Sequence, residues 1–167
     1  MSNQNASPNF HPERHDRLLQ ERVHDPYRAQ GKLSGPTVCP KCGAVFHEGR
    51  WQWLKAPSGA RQECCPACRR IHDDYPCGFV TLQGEFFTAH RDEIMRLVRN
   101  EEKHEQAEHP LKRIMATEET KNGGALLSTT DTHLAIGIGE ALQRAYRGEL
   151  KFHYNPDEYL LRVNWSR

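Results

Sequence analysis

The chain has 167 residues, 37% of them hydrophobic, and a mean hydropathy of −0.83, which supports one modest core and a large solvated surface. Its net charge of +1 conceals an uneven distribution, because residues 28–70 contain eight basic and two acidic side chains. No stretch approaches the ~20 apolar residues of a membrane-spanning helix, so a membrane partner is excluded and the basic segment predicts an acidic one.

Residues 1–37 are predicted to form a flexible N-terminal arm that orders on a partner. The side chains there are mainly polar or charged, and prolines at positions 26 and 36 interrupt any longer element. The first five residues have neither the basic nor the apolar segment of a secretion signal, so we expect a soluble, cytoplasmic protein.

Residues 38–76 are predicted to form a zinc ribbon built on two Cys-Pro-x-Cys turns. Each turn offers two sulfurs to one ion, and four thiolates fill the tetrahedron that zinc prefers, leaving no open position for water or substrate. The pattern therefore indicates one structural Zn²⁺ held by Cys39, Cys42, Cys65 and Cys68. Reduced, buried cysteines are the alternative. Cys64 could also replace Cys65, and Cys77 could compete for the metal.

The segment between the two cysteine pairs is long enough for a β-hairpin. We expect strands at 44–46 and 51–54 and a turn at 57–59 before the second pair. Residues 69–72 could open a short helix after Cys68, so a treble-clef variant of the ribbon stays open.

Residues 77–167 are predicted to form an α+β domain. Strands are expected near 79–82, 111–119, 125–129, 150–154 and 159–165, with helices over 90–108 and from 131 to 148. The order β-α-β-β-α-β, plus one extra strand, is typical of a split βαβ or ferredoxin-like sheet. Gly137 and Gly139 inside the second helix indicate close packing of that helix on the sheet.

Cations interleaved with tryptophans give the basic segment the composition of a nucleic-acid surface, since cations bind phosphate and flat rings stack on bases. The candidate residues are Arg28, Lys32, Lys41, Arg50, Trp51, Trp53, Lys55, Arg61, Arg69 and Arg70. Two alternatives remain. Lys41, Arg69 and Arg70 could simply neutralise the zinc–thiolate centre, and the tryptophans could form the small core of the ribbon.

A second candidate site lies where a strand leads into a helix, at Thr129, Thr130, Asp131 and His133. Hydroxyls, an imidazole and a helix N-terminus could together hold a phosphate or dock a polar protein surface. The alternative is a capping cluster, because Asp and Thr are favoured at that position. No catalytic motif accompanies these residues, so we expect no enzyme activity. An enzyme acting on a phosphate-bearing substrate through His133 is the least favoured of three hypotheses.

After the two Cys-Pro-x-Cys turns, the run from Leu127 to Ala135 and the helix that follows it carry a family resemblance. Roughly residues 38–165 resemble a short bacterial relative of the Nmd-type zinc adaptors, which escort the large ribosomal subunit from the nucleus in eukaryotes and have archaeal counterparts. The adaptors carry more metal-binding cysteines and further domains. The resemblance implies non-catalytic binding to the large ribosomal subunit.

The leading hypothesis is a zinc-ribbon RNA-binding protein associated with the ribosome, in assembly, quality control or hibernation. Its expected partner is ribosomal RNA of the large subunit. A protein-interaction adaptor with a structural zinc ribbon is the alternative. Salt distinguishes the two, because phosphate-driven binding weakens steeply as salt rises and a mainly apolar interface does not.

Overall fold

The computed structural model describes residues 25–28, 33 and 35–167. Most of the predicted arm, including Lys32, lies outside these residues. Within the described part, no helix combines the length and the apolar character that crossing a membrane requires. Two sheets divide the described chain, a small one near the cysteines and a larger one that carries the helices.

The small sheet has the strand order β3-β2-β1-β4. Its strands are β1 (Thr37–Val38), β2 (Val45–His47), β3 (Arg50–Gln52) and β4 (Arg61–Gln62), followed by helix α1 (Pro66–Asp73). The predicted hairpin is formed by β2 and β3, whose two-residue turn places Glu48 and Gly49 at φ of 50° and 85°. Positive φ at both central positions is typical of a tight hairpin turn whose twist matches that of its strands.

The large sheet has the strand order β6-β7-β5-β9-β8. Its strands are β5 (Gly78–Gln83), β6 (Ile114–Glu119), β7 (Ala125–Thr129), β8 (Glu149–Tyr154) and β9 (Leu161–Ser166). The accompanying helices are α2 (Glu85–Ala89), α3 (Arg91–Glu108) and α4 (Thr132–Tyr146). The predicted α+β class is therefore confirmed.

The large sheet departs from the ferredoxin-like order on the side of β5 where β9 and β8 lie. On the other side, β7 lies between β5 and β6 and is antiparallel to both, as a split βαβ unit requires. The ferredoxin-like order would place β8, the strand after α4, next to β5. Instead β9 occupies that position and runs parallel to β5, while β8 becomes the edge strand. The extra strand is thus inserted within the sheet.

Helices α3 and α4 form the core with one face of this sheet. Leu134, Ile138 and Leu142 of α4 are fully buried, as are Ile94 and Val98 of α3. These side chains pack with those of alternate strand positions: Val80, Leu82, Leu127, Leu161, Val163 and Trp165.

Of the two glycines predicted to let α4 pack closely on the sheet, one has this role and the other does not. A Cβ on Gly139 would lie 2.8 Å from side-chain carbons of both Leu150 and Val163, so glycine lets the helix approach the sheet. A Cβ on Gly137 would meet only Glu101 of α3, at 3.6 Å. Only Gly139 is therefore required for close packing.

Candidate metal centre

The sulfurs of Cys39, Cys42, Cys65 and Cys68 all lie within 4.8 Å of one another. The Sγ atoms of Cys42 and Cys65 are 3.8 Å apart. A zinc ion bound by four sulfurs at about 2.3 Å in a tetrahedron sets its ligands about 3.8 Å apart. The four cysteines are therefore close enough to hold one metal ion, and an all-thiolate donor set suits zinc.

The first cysteine pair lies in a tight turn between β1 and β2. The backbone amide of Cys39 donates to the carbonyl of Ala44 at 2.8 Å, and the amide of Gly43 donates to the carbonyl of Cys39 at 2.9 Å. Gly43 has a φ of +80°, which glycine adopts without strain. This conformation matches the role that glycine commonly has after the second ligand of such a turn.

The second pair lies at the beginning of α1. Cys65 is the N-cap residue, and its Sγ accepts a hydrogen bond from the amide of Cys68 at 3.4 Å. Pro66 follows as the first helical residue, where its fixed φ fits and its missing N–H costs nothing. The helix therefore begins at Pro66 rather than after Cys68, and its first turn brings Cys65 and Cys68 together.

Burial and hydrogen bonding act differently on the individual thiols. Burial opposes ionisation of Cys39, but amide donors from Cys65, Cys42 and Lys41 outweigh it and lower the pKa of its thiol to about 6. At Cys65, burial dominates and raises the thiol pKa. Because metal binding requires thiolates, a cation at the centre would offset the cost of ionising Cys65.

Arg113, in the segment between α3 and β6, donates to two of the four sulfurs. Its Nη1 lies 3.2 Å from Cys68 Sγ and its Nη2 lies 3.9 Å from Cys65 Sγ. Burial disfavours the charge of the guanidinium, but the thiols of Cys68 and Cys42 outweigh this and raise the pKa of Arg113. The larger domain thus supplies a cation to the cysteine centre. Sequence reasoning missed it, because no local pattern distinguishes this arginine.

Three hydrogen bonds fix the position of Arg113. Its Nε donates to the carbonyl of Pro110 at 2.9 Å, and its amide donates to Thr130 Oγ1 at 2.9 Å. The amide of Thr130 in turn donates to the carbonyl of Arg113, also at 2.9 Å. Thr130, one of the predicted docking residues, therefore fixes the backbone of Arg113, while Pro110 fixes its guanidinium.

The rest of the predicted docking cluster is also engaged within the fold. Thr129 Oγ1 donates to the carbonyl of Asp131 at 2.8 Å, and Asp131 Oδ1 accepts from the amide of Leu134 at 2.8 Å as the N-cap of α4. His133 is the member of the cluster whose side chain is exposed. This geometry matches the capping alternative.

The prediction that Arg70 belongs to a nucleic-acid surface needs correction, because only 1% of the surface of this residue is exposed. Its guanidinium forms an ion pair with Asp25 and donates to the carbonyl of Tyr75 at 3.0 Å. It also lies 4.4 Å from the ring centroid of Tyr27. A cation enclosed in this way is not available to a phosphate, so Arg70 instead joins the described part of the arm to α1.

The two tryptophans of the basic segment have different environments. Trp51 is half-buried against the cysteine cluster and contacts the ring of Phe46 edge-on, with centroids 5.6 Å apart, as the core-packing alternative requires. Trp53 is 41% exposed, and its Nε1 donates to the carbonyl of Gln106 in α3 at 2.7 Å. Its indole nitrogen is therefore fixed to the larger domain, while part of its ring faces solvent.

Most of the remaining predicted cations point into solvent. Arg69 pairs with Glu63 at 2.9 Å, and Arg28 is exposed. The cations that are exposed and form no ion pair with any described residue include Lys41, Arg50, Lys55 and Arg61.

The two other cysteines stand outside the group of four sulfurs. Cys77 is buried, and that burial raises the pKa of its thiol to about 12, so it remains protonated. Its backbone amide donates to the carbonyl of Thr129 at 3.0 Å, which makes it part of the packing at the start of β5. Cys64 is half-buried, and burial raises the pKa of its thiol as well.

Comparisons with known proteins do not assign the chain to a family. No family model, curated protein or solved structure matches it. A function must therefore be inferred from the cysteine centre and from the side chains that surround it.

Proposed function

We propose that this chain is a zinc-stabilised RNA-binding protein of the ribosome, and that its metal has a structural role. The small sheet and helix α1, residues 37–73, form what we call the cysteine module. The observation that carries the proposal is the set of exposed cations on this module that form no ion pair with a described residue. Four thiolates would complete the coordination of zinc, so the ion would hold the module together without offering a position for a reacting molecule. The proposed role is accordingly non-catalytic.

The exposed cations favour a polyanion as the partner. Arg50 and Arg61 lie on the two edge strands of the small sheet, and Lys55 lies between them in the chain. Cations distributed in this way suit the repeated phosphates of a nucleic acid better than a single small anion. The exposed ring of Trp53, two residues from Lys55, adds a surface on which a base can stack.

The ribosome enters the proposal through the resemblance to the large-subunit adaptors. RNA of the large subunit supplies both the phosphate and the unpaired bases that these side chains would bind.

A protein partner is the second candidate, and a specific group of exposed apolar side chains favours it. Leu54, Ile71 and Tyr75 are each 44–47% exposed on the module that carries the cysteines. An adaptor would bury such side chains against another protein, and this binding would depend little on salt.

Charge reversal on the basic surface tests the proposal. The test variant replaces three exposed cations together with glutamate: Arg50, Lys55 and Arg61. A matched control makes the same charge change on the exposed side of α3, at Arg96, Arg99 and Lys103. Binding to single-stranded RNA and to purified large subunits is measured between about 50 and 200 mM salt.

We expect the test variant to bind RNA at least about tenfold more weakly at low salt. The plot of log affinity against log salt should also become less steep by about 2, since each phosphate contact contributes about 0.7 to its steepness. The control should retain more of the RNA affinity and more of its salt dependence. Equal losses in the two variants would indicate general repulsion and contradict the proposal. Unchanged affinity in the test variant would do the same and favour the protein adaptor.

A further inference from the structure

We propose that the helix-free face of the five-stranded sheet is a second RNA surface, on which unpaired bases stack over Phe79 and Arg162. The two residues lie opposite each other on the neighbouring strands β5 and β9. The inference rests on the proposed function only in naming the same class of partner. The surface itself is separate from the cations of the cysteine module.

The alternation of side chains defines this face. Val80, Leu82 and Val163 point into the core beneath the helices. Side chains of successive strand residues point to opposite faces, so Phe79 and Arg162 point away from that core. Phe79 is partly exposed and Arg162 is exposed, as expected for a sheet face that no described element covers.

A row of flat side chains crosses the centre of the face. The strand register places Phe79 beside Arg162, and Arg162 beside His153 of the edge strand. The guanidinium carbon of Arg162 lies 5.1 Å from the ring centroid of Phe79. Because neighbouring strands are about 4.8 Å apart, this row of a phenyl ring, a guanidinium and an imidazole spans about 10 Å. All three groups present the planar surfaces on which nucleobases stack.

The adjacent row supplies hydrogen-bonding groups. Thr81, Asn164 and Lys151 are paired across the same three strands, about 6.6 Å further along them. A hydroxyl and an amide can bind the edges of an unpaired base, and the ammonium can bind phosphate. The arrangement therefore combines stacking with edge recognition, as sheets that bind single-stranded RNA do.

The charges on the face favour its β9 side for a polyanion. Arg162 forms no ion pair with a described residue, and Lys151 shares its charge with Glu149 at 2.9 Å. The carboxylate of Glu118 lies on the same face but at the other edge of the sheet, on β6. On β7, which the structure describes in full, Leu126 is the one partly buried aliphatic side chain, so this part of the face offers little to an apolar protein partner.

The experiment separates stacking from charge by measuring fluorescence anisotropy with a labelled single-stranded RNA of about ten nucleotides and with its duplex. Arg162→Lys keeps the positive charge and removes the plane, while Phe79→Ala removes the ring. Arg99→Lys makes the same substitution on α3, away from the sheet, and serves as the control.

We expect Phe79→Ala and Arg162→Lys each to weaken single-strand binding by about tenfold, with the salt slope of Arg162→Lys unchanged. The duplex should bind the wild type and both variants alike, because its bases are not available for stacking. Arg162 is a surface residue, so Arg162→Lys tests the proposal even if Phe79→Ala fails to fold.

Wild-type affinity in Arg162→Lys would overturn the inference, and so would an equal loss for the duplex. The charge-reversal variant of the cysteine module distinguishes the two proposals. Loss of RNA binding in that variant alone would leave the proposed function standing and remove the sheet surface. Loss in the sheet variants alone would support the sheet surface and would remove the cations of the cysteine module as the RNA-binding surface.

Discussion

Replacing Arg113 with methionine should weaken zinc binding although Arg113 is not a ligand. The substitution keeps a long apolar side chain and removes the guanidinium whose Nη1 lies 3.2 Å from Cys68 Sγ. A centre of four thiolates and one zinc carries a formal charge of −2, so the lost group is a cation held against a concentrated negative charge.

The expected magnitude follows from that one close contact. A hydrogen bond to a charged group contributes about 1.5–3 kcal/mol, and the second contact, at 3.9 Å to Cys65, is too long to add much. At about 1.4 kcal/mol per factor of ten, zinc affinity should fall about 10- to 100-fold, which is the usual effect of losing a residue that supports metal ligands. Arg113→Lys should give an intermediate loss, because an ammonium keeps the charge without the planar fork.

Competition with a chromogenic zinc chelator under reducing conditions measures the affinity directly. Arg96→Met is the matched control, because Arg96 is exposed on α3 and donates to the carbonyl of Asp92 in its own helix. Zinc affinity of Arg113→Met within about twofold of the wild type would refute the reasoning, since the guanidinium would then add nothing to the centre.

Two further predictions concern the stability of each part of the chain. Cys42→Ser should release the metal and unfold the cysteine module while the core of the larger domain stays folded. Metal analysis and amide hydrogen exchange would detect the two effects, and slow amide exchange in a metal-free module would contradict the prediction. Gly139→Ala should lower the free energy of unfolding by about 1–3 kcal/mol through contact with Leu150 and Val163, whereas Gly137→Ala should raise it by up to about 1 kcal/mol, as measured by urea denaturation. Equal effects at the two glycines would show that the close approach is not limiting.

The features that were predictable from the sequence depend on residues near one another in the chain. The spacing of Cys39 and Cys42 is itself the geometry of a turn with two ligands, and the second pair repeats it. The elements of the larger domain follow from periodicity in the same way, because alternation in strands and 3.6-residue spacing in helices are local properties.

The features that were not predictable depend on contacts between distant residues. Arg70 is buried because Asp25, far away in the chain, neutralises it. Arg113 reaches Cys68 across 45 positions of the chain, a contact that no local pattern predicts. The positions of β8 and β9 were not predictable either, because both strands carry large apolar side chains at every second position: Leu150, Phe152 and Tyr154 in β8, and Leu161, Val163 and Trp165 in β9.

The parallel pairing of β5 with β9 affects the order in which the protein can fold. The register joins Leu82 to Trp165, so β5 cannot gain this neighbour until most of the described chain has been synthesised. Contacts of such high sequence separation form slowly, because a long loop must close before they stabilise anything. The cysteine module, whose strands and α1 lie close together in the chain, can assemble around its metal much earlier. We therefore expect the module to fold during synthesis, before the larger sheet is complete and before Arg113 is held against the sulfurs.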